Sequence, residues 1–218
     1  MSKKKQPAPR VGRPPGATSE ATRARILQAA RDCFARTGYA GTTNKDIADL
    51  AGITAAAIYQ YFDSKTALYL ATVHAAEAEL VPEFEEAIAN ERTTRAAFRA
   101  LLAASARLHA REPSLAAFLS SLPVEIRREP SVAAAMASAP SPVLGIFLRM
   151  VERGVKAREI APRDAPRAVA VFVACTMGFS LYAATIESSD FVATMDAFLA
   201  LIDGGLVRER SDRKRAPA

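Results

Sequence analysis

Residues 42–65 read TTNKDIADLAGITAAAIYQYFDSK, and the spacing of start and stop signals in this stretch constrains the fold more than any other feature. Thr43 with Asp46 three positions on is close to a capping box, so a helix starts there. Gly52 stops it. Thr54 caps a third helix predicted over 55–62, and Asp63 or Ser64 caps a fourth running over 65–90 with a kink at Pro82. Upstream, residues 19–37 place Ile26, Ala29, Ala30, Cys33 and Phe34 on one face of a first helix, which Gly38 ends. Two short helices joined by a glycine-containing turn and packed on a longer one are what a DNA-reading helix-turn-helix requires. Ile26, Phe34, Ile47, Ile53, Ile58, Phe62 and Leu68 are expected to form its core, with Leu50 and Ala51 also turned inward.

Alanine-rich, glycine-poor stretches with 3.6-residue apolar spacing recur along the 218 residues, and no run alternates with period two for long. The expected fold is therefore all-α, an N-terminal three-helix helix-turn-helix domain followed by a larger helical domain. The predicted division is a disordered basic arm over 1–18, the helix-turn-helix domain over 19–65, the second domain over 66–207 and a charged tail over 208–218. Charge divides along the same line. Residues 1–65 hold eleven Lys/Arg against five Asp/Glu, and the remainder holds eighteen of each, so the whole net charge of +6 sits in the first third. That asymmetry implies a polyanion-binding head on a neutral body. A tail that only aids solubility would account for Lys3 to Lys5 but not for Arg23, Arg25, Arg31, Lys45 and Lys65.

Further helices are predicted over 93–111, 114–127, 142–158, 166–186 and 191–207, with prolines 113, 130, 140, 142, 162 and 166 at boundaries. The uncharged run 168–186 is long enough to raise the membrane question. Thr176, Gly178, Ser180 and Thr185 interrupt it, so a buried helix of a soluble core is expected and no membrane partner. Cys33 and Cys175 lack any CxxC spacing and read as core packers in a reducing cytosol. Prolines and arginines follow the basic start where a secretion signal would be apolar, so a cytoplasmic protein is expected. His74 and His109 are the only histidines. Neither lies near a cysteine or a GxSxG-like elbow, and no phosphate loop or metal-ligand spacing occurs, so no catalytic residue, metal site or cofactor is expected.

In the third helix Ile58 and Phe62 are four apart and must pack inward, which leaves Ala56 with Gln60 and Ala57 with Tyr61 on the opposite side. Small side chains there let the backbone approach base edges in a major groove, and a methyl can meet a thymine methyl. Gln60 suits a bidentate bond to adenine. Tyr59, Tyr61 and Lys65 suit phosphate contacts, although Tyr59 could equally fill the core. Lys65 beside a helix N-terminus opposes the dipole unless an anion is bound there.

Residues 42–71, TTNKDIADLAGITAAAIYQYFDSKTALYLA, resemble the DNA-binding domain of the tetracycline-repressor (TetR) family of bacterial regulators. The matching elements are Gly38-Tyr39, Ile47-Ala48, the turn Ala51-Gly52-Ile53-Thr54, and Ile58-Tyr59-x-Tyr61-Phe62-x-Ser64-Lys65-x-x-Leu68. Ala56 stands where many members have glycine. The resemblance implies phosphate contacts from Thr43, Lys45, Tyr59, Tyr61 and Lys65, and base contacts from Asn44, Ala55, Ala56, Ala57 and Gln60. In the arm, Val11-Gly12-Arg13-Pro14-Pro15 holds the Gly-Arg-Pro core of an AT-hook-like segment, which can lay Arg13 in a narrow minor groove; a plain basic linker is the alternative.

The same resemblance implies a homodimer on a palindromic double-stranded operator, dimerisation through the last two long helices, and a small-molecule effector bound in the second domain. Ala170, Ala174 and Gly178 recur every four residues, a small stripe that lets another helix approach, in a dimer or in a monomer core. Phe118, Phe147, Met150, Phe172, Met177, Phe179 and Tyr182 are candidate walls of the effector pocket, or else ordinary core. A repressor released by its effector is expected; an activator of the same fold and a non-specific architectural DNA binder are the other readings.

Overall fold

Helix α1 (Pro15–Gly41) opens the computed structural model, which describes residues 15–183 and 188–202. Its first turn falls within the stretch expected to be a disordered arm, and proline at the first helical position has no intrahelical N–H bond to lose. The regular winding breaks at Gly38, with φ 71° and ψ 179°, a region essentially restricted to glycine.

Helix α2 (Asn44–Ala51) carries a complete capping box. The Asp46 N–H donates to Thr43 Oγ1 at 3.2 Å and the Thr43 N–H donates to Asp46 Oδ2 at 2.9 Å. At the other end Gly52 adopts φ 67°, ψ 41°, and the Ile53 N–H reaches Ala48 O at 3.0 Å while the Gly52 N–H reaches Asp49 O at 3.3 Å. This is a Schellman turn, and it aims the next segment across α2. Thr54 caps α3 (Ala55–Ile58) through the Ala57 N–H, and Ser64, not Asp63, caps α4 (Lys65–Ile88) through the Ala67 N–H.

Two expectations need correcting. Regular α3 ends at Ile58 rather than residue 62; beyond it tighter i→i+3 bonds, Gln60 N–H to Ala57 O and Tyr61 N–H to Ile58 O, turn the chain so that Phe62 also reaches the core. Leu50, expected inside, is 52% exposed, because Ile47, Ala48 and Ala51 occupy the inward face of α2. The rest of the small core forms as read: Ile26, Phe34, Ile47, Ile58, Phe62 and Leu68 are buried, with Ile53 packed at its edge.

Helix α4 runs through Pro82 and is shared by both parts of the molecule, packing on α1 at its start and on α5 (Thr94–Arg111), α7 (Pro130–Ala137) and α8 (Pro142–Lys156) further along. Helix α6 (Pro113–Arg128) lies against α1. At this junction Tyr69 of α4 sits edge-on to Phe34, Tyr39 and Phe118 with ring centroids 4.9, 5.3 and 5.3 Å away. Helix α7 was not foreseen. Its sequence PSVAAAMA is small and apolar all round, so it offers no periodicity to read.

A short 3₁₀ turn (Pro162–Asp164) leads into α9 (Ala165–Ala183), which packs on α5, α6 and α8, and α10 (Ser188–Ile202) lies on α5 and α9. Among the described residues no strand occurs. Residues Pro162–Tyr182 are long and apolar enough to cross a membrane, yet the helix expected to be buried is covered on one side only. Val171, Met177, Leu181 and Tyr182 remain exposed beside the small residues Ala170, Ala174 and Gly178, because none of the described elements packs on that side. The ends predicted over 184–186 and 203–207 lie outside the described residues.

Candidate functional site

The Schellman turn and the Thr54 cap present the first turn of α3 as a protruding edge. Ile58 is 1% exposed and Phe62 5%, so the opposite side faces outward: Ala56, Tyr59 and Gln60 are exposed, and Ala55, Ala57 and Tyr61 are half-buried. Tyr59, for which the sequence left the core open, is 59% exposed. At the start of α2, Thr43 and Lys45 are exposed, and Asn44 is half-buried with its Oδ1 enclosed and without a hydrogen-bond partner among the described residues. The Thr43 hydroxyl and N–H, in that order, hold the exposed Asp46 carboxyl below its ordinary range, keeping the capping box ionised. Lys65 lies with Nζ 4.5 Å from the centre of the Tyr39 ring, whose hydroxyl meets Thr66 Oγ1 at 2.8 Å. The aromatic face gives that cation a local partner at the helix N-terminus. Arg13, the arm residue, lies outside the described residues.

Besides the aromatic junction, two polar or close contacts tie this head to the rest of the chain. Arg31 of α1, 5% exposed, donates to both carboxylate oxygens of Glu79 at 2.9 Å and to Gln28 Oε1 at 2.7 Å, with Glu112 Oε2 at 3.5 Å. At Gly38 the backbone comes so close to α6 that an added Cβ would stand 2.6 Å from Glu125 Oε1.

A cavity of about 280 Å³ opens among α4 to α9. Its walls are mainly aliphatic and aromatic, with Leu80, Phe84, Leu108, Leu119, Val143 and Phe147 among them. Of the seven side chains expected to wall a pocket, Phe147 and Met177 line this one. The others pack elsewhere. Phe118 is buried in the junction against Tyr69, Met150 borders a separate cleft with Thr94 and Gly154, and Phe172 stacks on Phe98 at 4.5 Å. Phe179 packs against Phe191 and Phe198, and Tyr182 is on the exposed side of α9.

Sequence reasoning missed the cavity's polar groups, Glu77, Ser105, His109, Ser120, Ser141, Thr176 and Ser180. One signal was present for Glu77: Val73, Glu77, Leu80 and Phe84 share the spacing of the buried stripe of α4, and a carboxylate among them is out of place. His109 Nδ1 meets Ser105 O at 2.8 Å and Nε2 meets Ser180 O at 3.1 Å, joining α5 to α9. Burial lowers its pKa, and the two carbonyls only partly offset that.

Residues 26–72 match the sequence profile of the bacterial regulatory proteins of the tetR family. Over that segment, about a fifth of the chain, it is similar to the TetR family. Within that family the HTH-type transcriptional regulator TtgR of Pseudomonas putida is 48% identical over 50 residues, which are 23% of this chain and 24% of TtgR. The match thus spans about a quarter of that relative's length. A bacterial regulatory protein in the tetR family from Rhodococcus RHA1 superposes with a TM-score of 0.63 at 21% identity, covering 85% of this chain and 96% of that one. The transcriptional regulator FadR from Bacillus subtilis, in complex with stearoyl-CoA, gives a TM-score of 0.67 at 20% identity over 84% of this chain and 98% of its own. At such identities the likeness of this chain to the solved structures is one of fold.

Proposed function

We propose that the protein is a cytoplasmic, sequence-selective DNA-binding transcriptional regulator, acting as a homodimeric repressor that a small-molecule effector releases from a palindromic operator. The observation that carries this reading is the outward stripe of Ala56 and Gln60 on a helix fixed at its start by a Schellman turn and a threonine cap. The small side chains of Ala55, Ala56 and Ala57 let the helix enter a major groove, with these three, Gln60 and Asn44 against base edges. Thr43, Lys45, Tyr59, Tyr61 and Lys65 would hold phosphates on either side, and Arg13 would add a minor-groove contact.

The exposed stripe Ala170, Ala174 and Gly178, with an open face beside Gly178, is suited to a second copy of α9. Two heads must then match half-sites about 34–36 Å apart or a multiple of that distance, so a small rotation of each abolishes the fit. Helix α4 carries Lys65 at one end and Glu77, Leu80 and Phe84 in the cavity, while α6 carries Leu119 in the cavity and Glu125 against Gly38. A ligand that prefers a different setting of α4 and α6 therefore shifts the heads. That FadR, similar in fold, holds stearoyl-CoA is consistent with a ligand in this second domain.

Selection of bound fragments from random duplex DNA tests the proposal, followed by competition between the selected site and random DNA at one salt concentration. A regulator holds an affinity gap of about 10³ or more. Equal affinity for all duplexes, varying with salt alone, would establish the architectural reading instead.

A further inference from the structure

Glu77 is 6% exposed and lines a cavity whose walls are otherwise mostly hydrocarbon. Ser141, the N-cap of α8, accepts the Leu144 N–H and donates its own hydroxyl to Glu77 Oε1 at 2.5 Å. That is the carboxylate's one hydrogen bond among the described residues. Its second oxygen has neither a donor nor a cation there, and no lysine or arginine lines the cavity. An acceptor on a side chain this buried, left without a protein donor, is a position for a hydrogen bond from a ligand.

The other polar groups of the cavity are already committed. The Ser120 hydroxyl donates to Ala116 O at 2.7 Å and the Thr176 hydroxyl to Phe172 O at 2.8 Å. The Ser105 and Ser180 hydroxyls face one another at 3.4 Å. His109 has both ring nitrogens against carbonyl oxygens, so neither is left to donate to Glu77. Glu77 is the one carboxylate among the residues that line the cavity. An anionic ligand would meet that charge with no cation to offset it, and one the size of an acyl-coenzyme A exceeds a space of about 280 Å³.

We infer that the effector is a small organic cation, a protonated amine on an apolar body, whose ammonium group donates to the free oxygen of Glu77. The inference rests on the reading of this cavity as the effector site and gives that effector its charge and size. The volume lies at the small end of the range for ligand pockets, about 300–1,000 Å³, which suits a body of one ring or a short chain. The surrounding leucines and phenylalanines lower the local dielectric, which strengthens an ion pair relative to one at the surface.

The test uses the full-length protein and three ligands of matched shape, 4-phenylbutylamine, 4-phenylbutanol and 4-phenylbutyrate, in calorimetric titrations. The amine is expected to bind at least tenfold more tightly than the alcohol, and the carboxylate more weakly than either. In Glu77→Gln the preference for amine over alcohol falls below threefold, with alcohol binding serving as the control for folding. Equal binding of amine and alcohol to the unaltered protein, no binding of any of the three, or a preference that survives Glu77→Gln each overturns the assignment, and the first two require no variant. DNA release, read in parallel on the selected operator, separates the two proposals. Glu77-dependent amine binding without release leaves the cation site standing and defeats the effector reading; release by the alcohol or the carboxylate alone does the reverse.

Discussion

Replacing Gly38 with alanine probes the place where the DNA-binding head rests on the helix that reaches the cavity. Two costs add at this position. The backbone, at φ 71° and ψ 179°, lies in a region that residues with a Cβ rarely occupy, which costs about 1–3 kcal/mol. The new Cβ would also stand 2.6 Å from Glu125 Oε1, so the carboxylate must leave a rotamer in which the residue is only 8% exposed. That displacement adds about 1 kcal/mol. For a chain of this length each kcal/mol lowers the melting temperature by about 2–4 °C, so Gly38→Ala should melt roughly 5–15 °C below the unaltered protein. Thermal unfolding followed by circular dichroism on Gly38→Ala, Glu125→Ala and the double variant separates the two. The steric part, about 1 kcal/mol, should appear as the coupling between the sites, and the backbone part should persist in the double variant. A melting temperature within about 2 °C of the parent, or strictly additive effects, refutes the reasoning; the first denies the strained backbone and the second denies the contact with α6.

Lys65→Ala should weaken binding to every duplex alike and reduce the slope of log affinity against log salt by about one, as expected for one lost phosphate contact; a sequence-selective loss at unchanged slope contradicts that role. Gln60→Ala should relax preference at one base pair by about 1–3 kcal/mol, read from binding to a panel of single-base operator variants, and an unaltered preference removes it from the readout. Leu181→Glu places a charge on the exposed side of α9 and should turn a dimer into monomers in analytical ultracentrifugation, whereas an unchanged sedimentation coefficient puts the subunit contact elsewhere. His109 contributes a pH dependence of known sign. Its folded-state pKa is depressed by burial, so the unfolded chain takes up the proton first; stability is full above pH 6.5, begins to fall near that value and is lost as pH drops through the folded-state pKa. His109→Asn should flatten this part of the curve between about pH 7 and 5, and an unchanged slope in melting temperature assigns it to another group.

The helix-turn-helix head was legible because its determinants are local. Thr43, Asp46, Gly52, Thr54 and Ser64 act on backbone groups within four residues of themselves, so their spacing alone dictates where each helix starts and stops. Ile58 and Phe62 then fix which side of α3 faces outward, and so which candidate contacts are exposed. The stripe Ala170, Ala174 and Gly178 was visible for the same reason, since residues four apart share a helix face whatever surrounds them. Helix α7 was invisible because a short, mostly alanine stretch gives little contrast between faces.

The cavity was a different matter. A phenylalanine at helical spacing reads the same whether it packs against α1, like Phe118, against a sister ring, like Phe172, or on an open space, like Phe147. Which of these happens depends on how six helices leave room among themselves, and that is set by contacts between residues distant in the chain. The amino-acid sequence by itself determined the helices, their caps and the charged head, through interactions spanning one turn. The tertiary structure alone decided that Glu77 and His109 share a void, that Gly38 touches Glu125 and that one side of α9 is bare, because each depends on the relative placement of whole helices.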